Sequence, residues 1–214
     1  MKDESKKFEL SKGILLLFVL GNLGILIFYV FYCSRYLFNS DMATKLLIAS
    51  EQIRTGQLFP EGWHNTTGIS VSIWELLIIP FMSVISNWIL CRQIVVFIQI
   101  IILISCIAWF FKCGCKNWRL ASGLCLIFMT LPIGQYDQSF YDASYMSVVI
   151  YLLLTNILII RILDSSVKSK KRTCVKYYGF LAFVIFQAGY GSLRSYAILM
   201  MPAIFSIVLY YWLE

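Results

Sequence analysis

Six of the eleven acidic residues of this 214-residue chain lie in two parts of the sequence, 41–75 and 137–142: Asp41, Glu51, Glu61, Glu75, Asp137 and Asp142. Asp41 comes shortly after the first apolar stretch, in the segment Asn39-Ser40-Asp41. A carboxylate there could accept a proton from a hydroxyl substrate, or orient that hydroxyl. It could equally cap a helix, because aspartate is a favoured N-cap residue and suits the positive end of the helix dipole. Both interpretations remain open from the sequence.

A second polar segment, QYDQSFYDAS over residues 135–144, combines carboxylates with aromatic rings. Aromatic faces pack on sugar rings, and carboxylates accept hydrogen bonds from hydroxyl groups. Asp137, Tyr141 and Asp142 are therefore candidates for binding a carbohydrate or a lipid head group. The same composition is typical of an interfacial aromatic belt, which is the alternative interpretation.

A third segment, GYGSLRSY, carries Arg194 among small residues. Arginine can bind a phosphate through two hydrogen bonds at once, so Arg194 is a candidate contact for a lipid phosphate. An interfacial arginine that extends its charge towards water is the alternative. Arg35 and Arg92 are secondary candidates for the same contact.

Several kinds of site lack the residues they need. His64 is the only histidine, so the sequence does not indicate a histidine-based metal site or a Ser-His-Asp triad. Cys113 and Cys115 form no zinc pattern, because no second cysteine pair accompanies them. No phosphate-binding glycine loop and no HExxH motif is present. The sequence names no cofactor and leaves dependence on a divalent metal undecided.

The elements that must position these residues are helices in a membrane. Apolar residues make up 60% of the chain and charged residues only 14%, and the mean hydropathy is +0.78. A soluble domain has about 45–50% apolar and about 25% charged residues, so a soluble globule is excluded. The net charge of +7 lies in short clusters between apolar stretches, which indicates membrane orientation rather than nucleic-acid binding.

Six stretches are predicted to cross the membrane, since a bilayer core of about 30 Å requires roughly 20 apolar helical residues. The fold class predicted is an all-α membrane protein with one membrane domain over residues 1–214. The least clear of the six, 120–134, is short and contains Pro132 near its end. The predicted spans are 13–33, 94–111, 120–134, 145–163, 177–193 and 196–213.

The stretch 73–90 is ambiguous, because Glu75, Pro80 and Asn87 interrupt it. If it does not cross and the N-terminus is cytoplasmic, thirteen of the eighteen Lys and Arg residues lie inside. If it crosses, twelve lie outside, which violates the positive-inside rule. We therefore interpret 73–90 as an interfacial or re-entrant helix on the extracytoplasmic face of a multi-pass protein of the cell membrane, with both termini cytoplasmic.

A second surface helix is predicted over residues 42–55. Asn39, Ser40 and Asp41 supply capping side chains, and Gly56 is a plausible end. The apolar stripe that would face the membrane consists of Met42, Leu46, Ala49 and Ile53.

The order of these features resembles the N-terminal half of the GT-C class of membrane glycosyltransferases. It is most similar to bacterial members related to protein O-mannosyltransferases and lipid A aminoarabinose transferases. The features that carry the resemblance are the basic N-terminus, the first span, the segment NSDMATKLLIASEQIRTGQLFPEGW and the Pro-containing segment that ends in an arginine. We expect the chain to be the N-terminal part of a longer architecture.

The resemblance implies transfer of a sugar from a polyprenyl-phosphate carrier to an acceptor on the extracytoplasmic side. It also implies that Asp41 is the catalytic or acceptor-orienting carboxylate. Many members have a pair of acidic residues at this place, whereas here Met42 follows Asp41. The expected partners are membrane lipid and the lipid-linked sugar, without nucleic acid; the oligomeric state is left open.

A different class of function is a non-catalytic multi-pass membrane protein, either a permease component or a partner subunit. The strong amides within the spans are Asn22, Gln99, Asn156 and Gln187. They fit hydrogen bonding between helices better than a transport pathway, since such pathways need paired ionisable groups at depth.

Overall fold

The computed structural model describes residues 2–36, 40–62, 76–130, 144–167, 171–191 and 201. Within these ranges all regular structure is helical, and the all-α prediction is confirmed. A short 3-10 turn, Cys33–Tyr36, follows the first helix. The helices are α1 (Lys2–Phe31), α2 (Ser40–Thr55), α3 (Ile78–Met82), α4 (Trp88–Gly114), α5 (Trp118–Thr130), α6 (Ser144–Val167) and α7 (Lys171–Gly191).

Three helical segments of the described chain are long and apolar enough to cross a membrane: Gly13–Tyr36, Trp88–Gly114 and Met146–Leu163. They coincide with the predicted spans 13–33, 94–111 and 145–163. On α1, Leu17 and Phe18 are 70% and 59% exposed. Large apolar side chains exposed along a helix of spanning length are solvated by lipid rather than by water, which agrees with a membrane protein.

The other three predicted spans remain predictions. Residues 120–130 of stretch 120–134 lie on α5, whose 13 described residues extend about 20 Å, and residues 131–134 lie outside the described part. Stretch 177–193 falls largely on α7, which is not among the three. Apart from Met201, stretch 196–213 lies outside the described residues.

The stretch 73–90 is divided between two helices instead of forming one. The short helix α3 ends at Met82, and a turn over residues 83–87 separates it from α4, while residues 73–75 lie outside the described part. Asn87 explains why α4 begins at Trp88 and not at the predicted Ile94. Its backbone is extended and its side-chain oxygen accepts a hydrogen bond from the Leu90 amide at 3.1 Å, which is N-cap geometry.

Helix α4 lies at the centre of the described bundle. It packs against α1, α3, α5 and α6, while α6 packs in addition against α7, and α1 against α5. The main core joins three helices through Leu26 and Val30 on α1, Val96, Ile100 and Leu103 on α4, and Met146 and Ile150 on α6. A smaller core between α6 and α7 contains Tyr151, Leu158, Val184 and Ala188.

Helices α1 and α5 approach closely at Gly123. A Cβ atom built on Gly123 would lie 3.2 Å from Cδ2 of Leu15, tighter than ordinary van der Waals contact. The missing side chain therefore allows this short distance between the two helices.

The buried face of α2 differs from the predicted stripe at its end. Met42, Leu46 and Ala49 are buried as expected, but Ile53 is 40% exposed and Gln52 is buried in its place. The reason is the chain after the helix: Gly56 ends α2 with a positive φ of 68°, and Gln52 Nε2 donates to the Leu58 carbonyl at 2.8 Å. The predicted end at Gly56 is confirmed.

Candidate functional site

The most enclosed polar region of the described chain is the place where α1 ends and α4 begins, which we call the α1–α4 junction. Cys91, Arg92 and Gln93, three consecutive residues of α4, are 0%, 2% and 5% exposed. Successive residues of an α-helix point about 100° apart, so the three cover an arc of about 200°. Protein therefore encloses the first turns of α4 on two opposite sides.

On one side, Gln93 ties α4 to the end of α1. Its Nε2 donates to Ser34 Oγ at 3.0 Å and to the Phe31 carbonyl at 3.2 Å. Ser34 Oγ in turn donates to the Val30 carbonyl. The ring of Phe31 also meets that of Phe97 edge-to-face, with centroids 5.5 Å apart. This side of the junction is thus held by both hydrogen bonds and aromatic packing.

On the other side, α3 packs on α4, and α2 packs on α3. Leu46 and Ala49 of α2, Ile78 of α3 and Val95 of α4 form one buried cluster. Arg92 lies one turn before Val95 on the same face of α4, because residues three apart are neighbours on a helix surface. The face of α4 that carries Arg92 is therefore the face where α3 packs and where Val95 joins the cluster that includes α2.

Burial of Arg92 is the chemically informative feature of the junction. Arginine stays charged in proteins, and removing a charge from water is costly unless opposite charge or hydrogen bonds compensate. The position adds to that cost, because the N-terminal end of α4 carries the positive pole of the helix dipole. An ionisable residue enclosed at the end of a membrane span is a functional candidate by default.

The sequence-predicted site residues differ in how far the structure describes them. The main chain of Asp41 occupies the second position of α2, one residue before the buried Met42, and its side chain lies outside the described part. Asp137, Tyr141, Asp142 and Arg194 also lie outside the described residues. The described structure thus adds Arg92, which the sequence favoured less than Arg194. One sequence signal could have ranked Arg92 higher as a candidate: it lies in the second turn of a long apolar helix, beside the side-chain amide of Gln93.

Glu51 and Arg54 form an ion pair on the outward side of α2. Arg54 Nε donates to Glu51 Oε2 at 2.9 Å, and Arg54 Nη2 donates to Glu51 Oε1. The hydrogen bonds from Arg54, reinforced by its charge, hold the pKa of Glu51 below its usual value. A carboxylate stabilised in this way is a weaker base, so Glu51 is poorly suited to proton abstraction.

In the described part of the chain, no three His, Cys, Asp or Glu side chains come together to hold a metal ion. Comparison with known protein families, with curated proteins and with solved structures found no match.

Proposed function

We propose that the chain is a membrane glycosyltransferase of the GT-C type, or its N-terminal module. It transfers a sugar from a polyprenyl-phosphate carrier to an acceptor hydroxyl on the extracytoplasmic side. The observation that carries the proposal is the buried Arg92, on the face of α4 whose Val95 shares a buried cluster with α2, the helix that contains Asp41 in its first turn. A carboxylate and an arginine on neighbouring elements suit a reaction that removes a proton and releases a phosphate.

In this mechanism Asp41 is the general base. It accepts the proton of the acceptor hydroxyl as the hydroxyl oxygen attacks the anomeric carbon of the donor sugar. The bond from that carbon to the phosphate oxygen breaks, and its electron pair leaves with the polyprenyl phosphate. Arg92 balances the charge of this leaving group, and Arg194 is the alternative for that role. Asp137, Tyr141 and Asp142 bind hydroxyl groups of the sugar or the acceptor.

The test is sugar transfer by the full chain in reconstituted vesicles, with labelled polyprenyl-phosphate hexose and pentose donors. Asp41→Asn keeps the shape and capping ability of aspartate but removes its basicity, so transfer should fall by about 10²-fold or more. Thermal stability should hold. Arg92→Gln should also reduce transfer strongly, because it removes the compensating charge.

The matched control is Glu51→Gln, which neutralises a carboxylate on the outward side of the same helix and should leave transfer unchanged. If Asp41→Asn transfers sugar normally while Asp41→Ala loses about 1 kcal/mol of stability, Asp41 only stabilises the first turn of α2 and has no part in catalysis.

The second candidate function is a non-catalytic subunit or permease component. Gln99 Oε1 on α4 and Thr155 Oγ1 on α6 are buried within two packed spans and accept no hydrogen bond from the described chain. Buried acceptors of this kind favour the binding of a polar ligand or of a partner helix between the two spans. No transfer by the wild-type chain with any donor, together with normal folding, would favour this function.

A further inference from the structure

One face of α1 is apolar and exposed along the whole predicted span. Ile14, Leu17, Ile25, Phe28 and Tyr32 are 48%, 70%, 54%, 58% and 51% exposed. At about 100° per residue, these positions fall within one sector of the helix about 80° wide. Gly21 lies in the middle of that sector, and a Cβ atom built on it would meet nothing within 4 Å. The face therefore has a shallow depression near the middle of the span.

The polar end of this face carries an ordered arginine. The rings of Phe28 and Tyr32 stack with centroids 4.9 Å apart, and Tyr36 meets Tyr32 edge-to-face at 6.2 Å. The Arg35 guanidinium lies over the Tyr32 ring, 5.3 Å from its centroid. Arg35 Nη2 also donates to the Phe31 carbonyl at 3.0 Å. Stacking and one hydrogen bond thus orient the guanidinium before any ligand arrives.

The remaining donors of Arg35 are available to an anion. The side chain is exposed, and no ion pair within the described chain involves it. A guanidinium has five N–H donors in a planar fork that matches a phosphate group. Because its orientation is already fixed, binding a phosphate costs less side-chain entropy than it would for a free arginine.

We propose that this face of α1 binds one anionic phospholipid. Arg35 holds the phosphate, the rings of Phe28 and Tyr32 lie beside the upper part of an acyl chain, and the chain ends near Gly21. The distance supports this arrangement: Gly21 and Arg35 are 14 residues apart, about 21 Å along a helix, which suits an acyl chain and a head group. The positive charge at the polar end selects an anionic over a zwitterionic lipid.

The test measures lipid retained by the intact chain in native mass spectrometry, after incubation with dioleoyl phosphatidylglycerol or dioleoyl phosphatidylcholine. The wild type should retain phosphatidylglycerol in preference. Arg35→Gln should lower that retention about fivefold, the effect of one basic side chain at an anionic surface. Arg35→Lys should restore part of it, since the charge remains while the planar fork is lost.

Arg119→Gln is the matched control. Arg119 is also exposed and lies 5.5 Å from the centroid of the neighbouring Trp118 ring, but it lies outside the α1 face. Its loss should leave phosphatidylglycerol retention unchanged.

Gly21→Leu fills the depression and should weaken retention without removing any charge. Equal retention of both lipids by the wild type, or unchanged retention in Arg35→Gln, would overturn the proposal. Retention of polyprenyl phosphate but not phosphatidylglycerol would overturn it as well and assign the face to the sugar donor.

Discussion

At the scale of single residues, Gln93 is the side chain that joins two spans through hydrogen bonds. Its two bonds to Ser34 and Phe31 lie in a buried region, where water is excluded from replacing them. We expect Gln93→Leu to lower the free energy of unfolding by about 1 kcal/mol, in the range measured for side-chain hydrogen bonds between membrane helices. Reversible unfolding in mixed detergent micelles would measure the change.

Asn156→Leu provides the comparison for Gln93→Leu. Asn156 is exposed on α6, and its Nδ2 donates to the Leu152 carbonyl of its own helix at 2.8 Å. Loss of that bond separates no helices, so stability should stay within about 0.5 kcal/mol. Equal destabilisation by the two substitutions would mean that Gln93 does not join α1 and α4.

Glu51 gives a prediction about pH. Because Arg54 lowers the pKa of Glu51 in the folded chain, the pair stabilises the fold above the unfolded-state pKa of the carboxyl group. That stabilisation is lost as the pH falls through the lower folded-state pKa. Arg54→Gln should therefore raise the pKa of Glu51, as followed by carboxyl NMR chemical shifts. An unchanged pKa in the variant would show that the ion pair does not persist in solution.

Residue types and their order predict Asp41 as a capping residue just before a helix over 42–55, whereas the helix begins at Ser40 and Asp41 lies within its first turn. The same reasoning does not single out Arg92, because burial depends on which segments fold over it. That information lies in the packing of α3 on α4 and of α2 on α3, between residues far apart in sequence. The chemical roles of Asp41 and Arg92 remain proposals.

At the scale of elements, Gly123 sets the separation of α1 and α5. Gly123→Val would add two methyl groups beyond a Cβ that already lies within 3.2 Å of Leu15, so the helices must separate. We expect a loss of about 1–3 kcal/mol, typical of overpacking. Gly21→Val places the same valine side chain in open space on α1, and its effect through helix propensity is the same. Thermal unfolding in detergent should separate the two variants, and equal melting temperatures would contradict the close approach.

Hydropathy predicts the long helices well, because their apolar runs are close to or longer than the thickness of a bilayer core. Hydropathy fails where a single side-chain hydrogen bond determines where a helix begins or which residues of a helix are buried. The sequence pattern predicts that Asn87 interrupts one helix, yet Asn87 caps the next one. Likewise, the regular stripe on α2 ends at Ala49 because the chain turns at Gly56 and brings the Leu58 carbonyl to Gln52. Both outcomes depend on contacts that a periodic pattern does not contain.

At the scale of the whole molecule, the charge distribution predicts the side on which each loop lies. The turn after α4 contains the exposed Cys115 and should be cytoplasmic, whereas the exposed Gln57 after α2 should be extracytoplasmic. A membrane-impermeant maleimide should therefore label Cys115 only in permeabilised cells. In a Cys115→Ser background, Gln57→Cys should react in intact cells. Labelling of Cys115 in intact cells would reverse the predicted orientation and with it the glycosyltransferase layout.

The enclosure of Arg92 also bears on bilayer thickness. Arg92 and Lys112 are 20 residues apart on α4, about 30 Å along the helix axis, which equals the thickness of a typical hydrocarbon core. Lys112 is exposed at its end and can follow the water boundary, but Arg92 is buried on the face of α4 where α3 packs and cannot reach water without a change in that packing. A thinner or thicker bilayer would therefore have to deform around α4 or tilt the bundle, since the helix has no freedom to slide. The acyl-chain length of the surrounding lipid thus acts on the very residue to which we assign the phosphate.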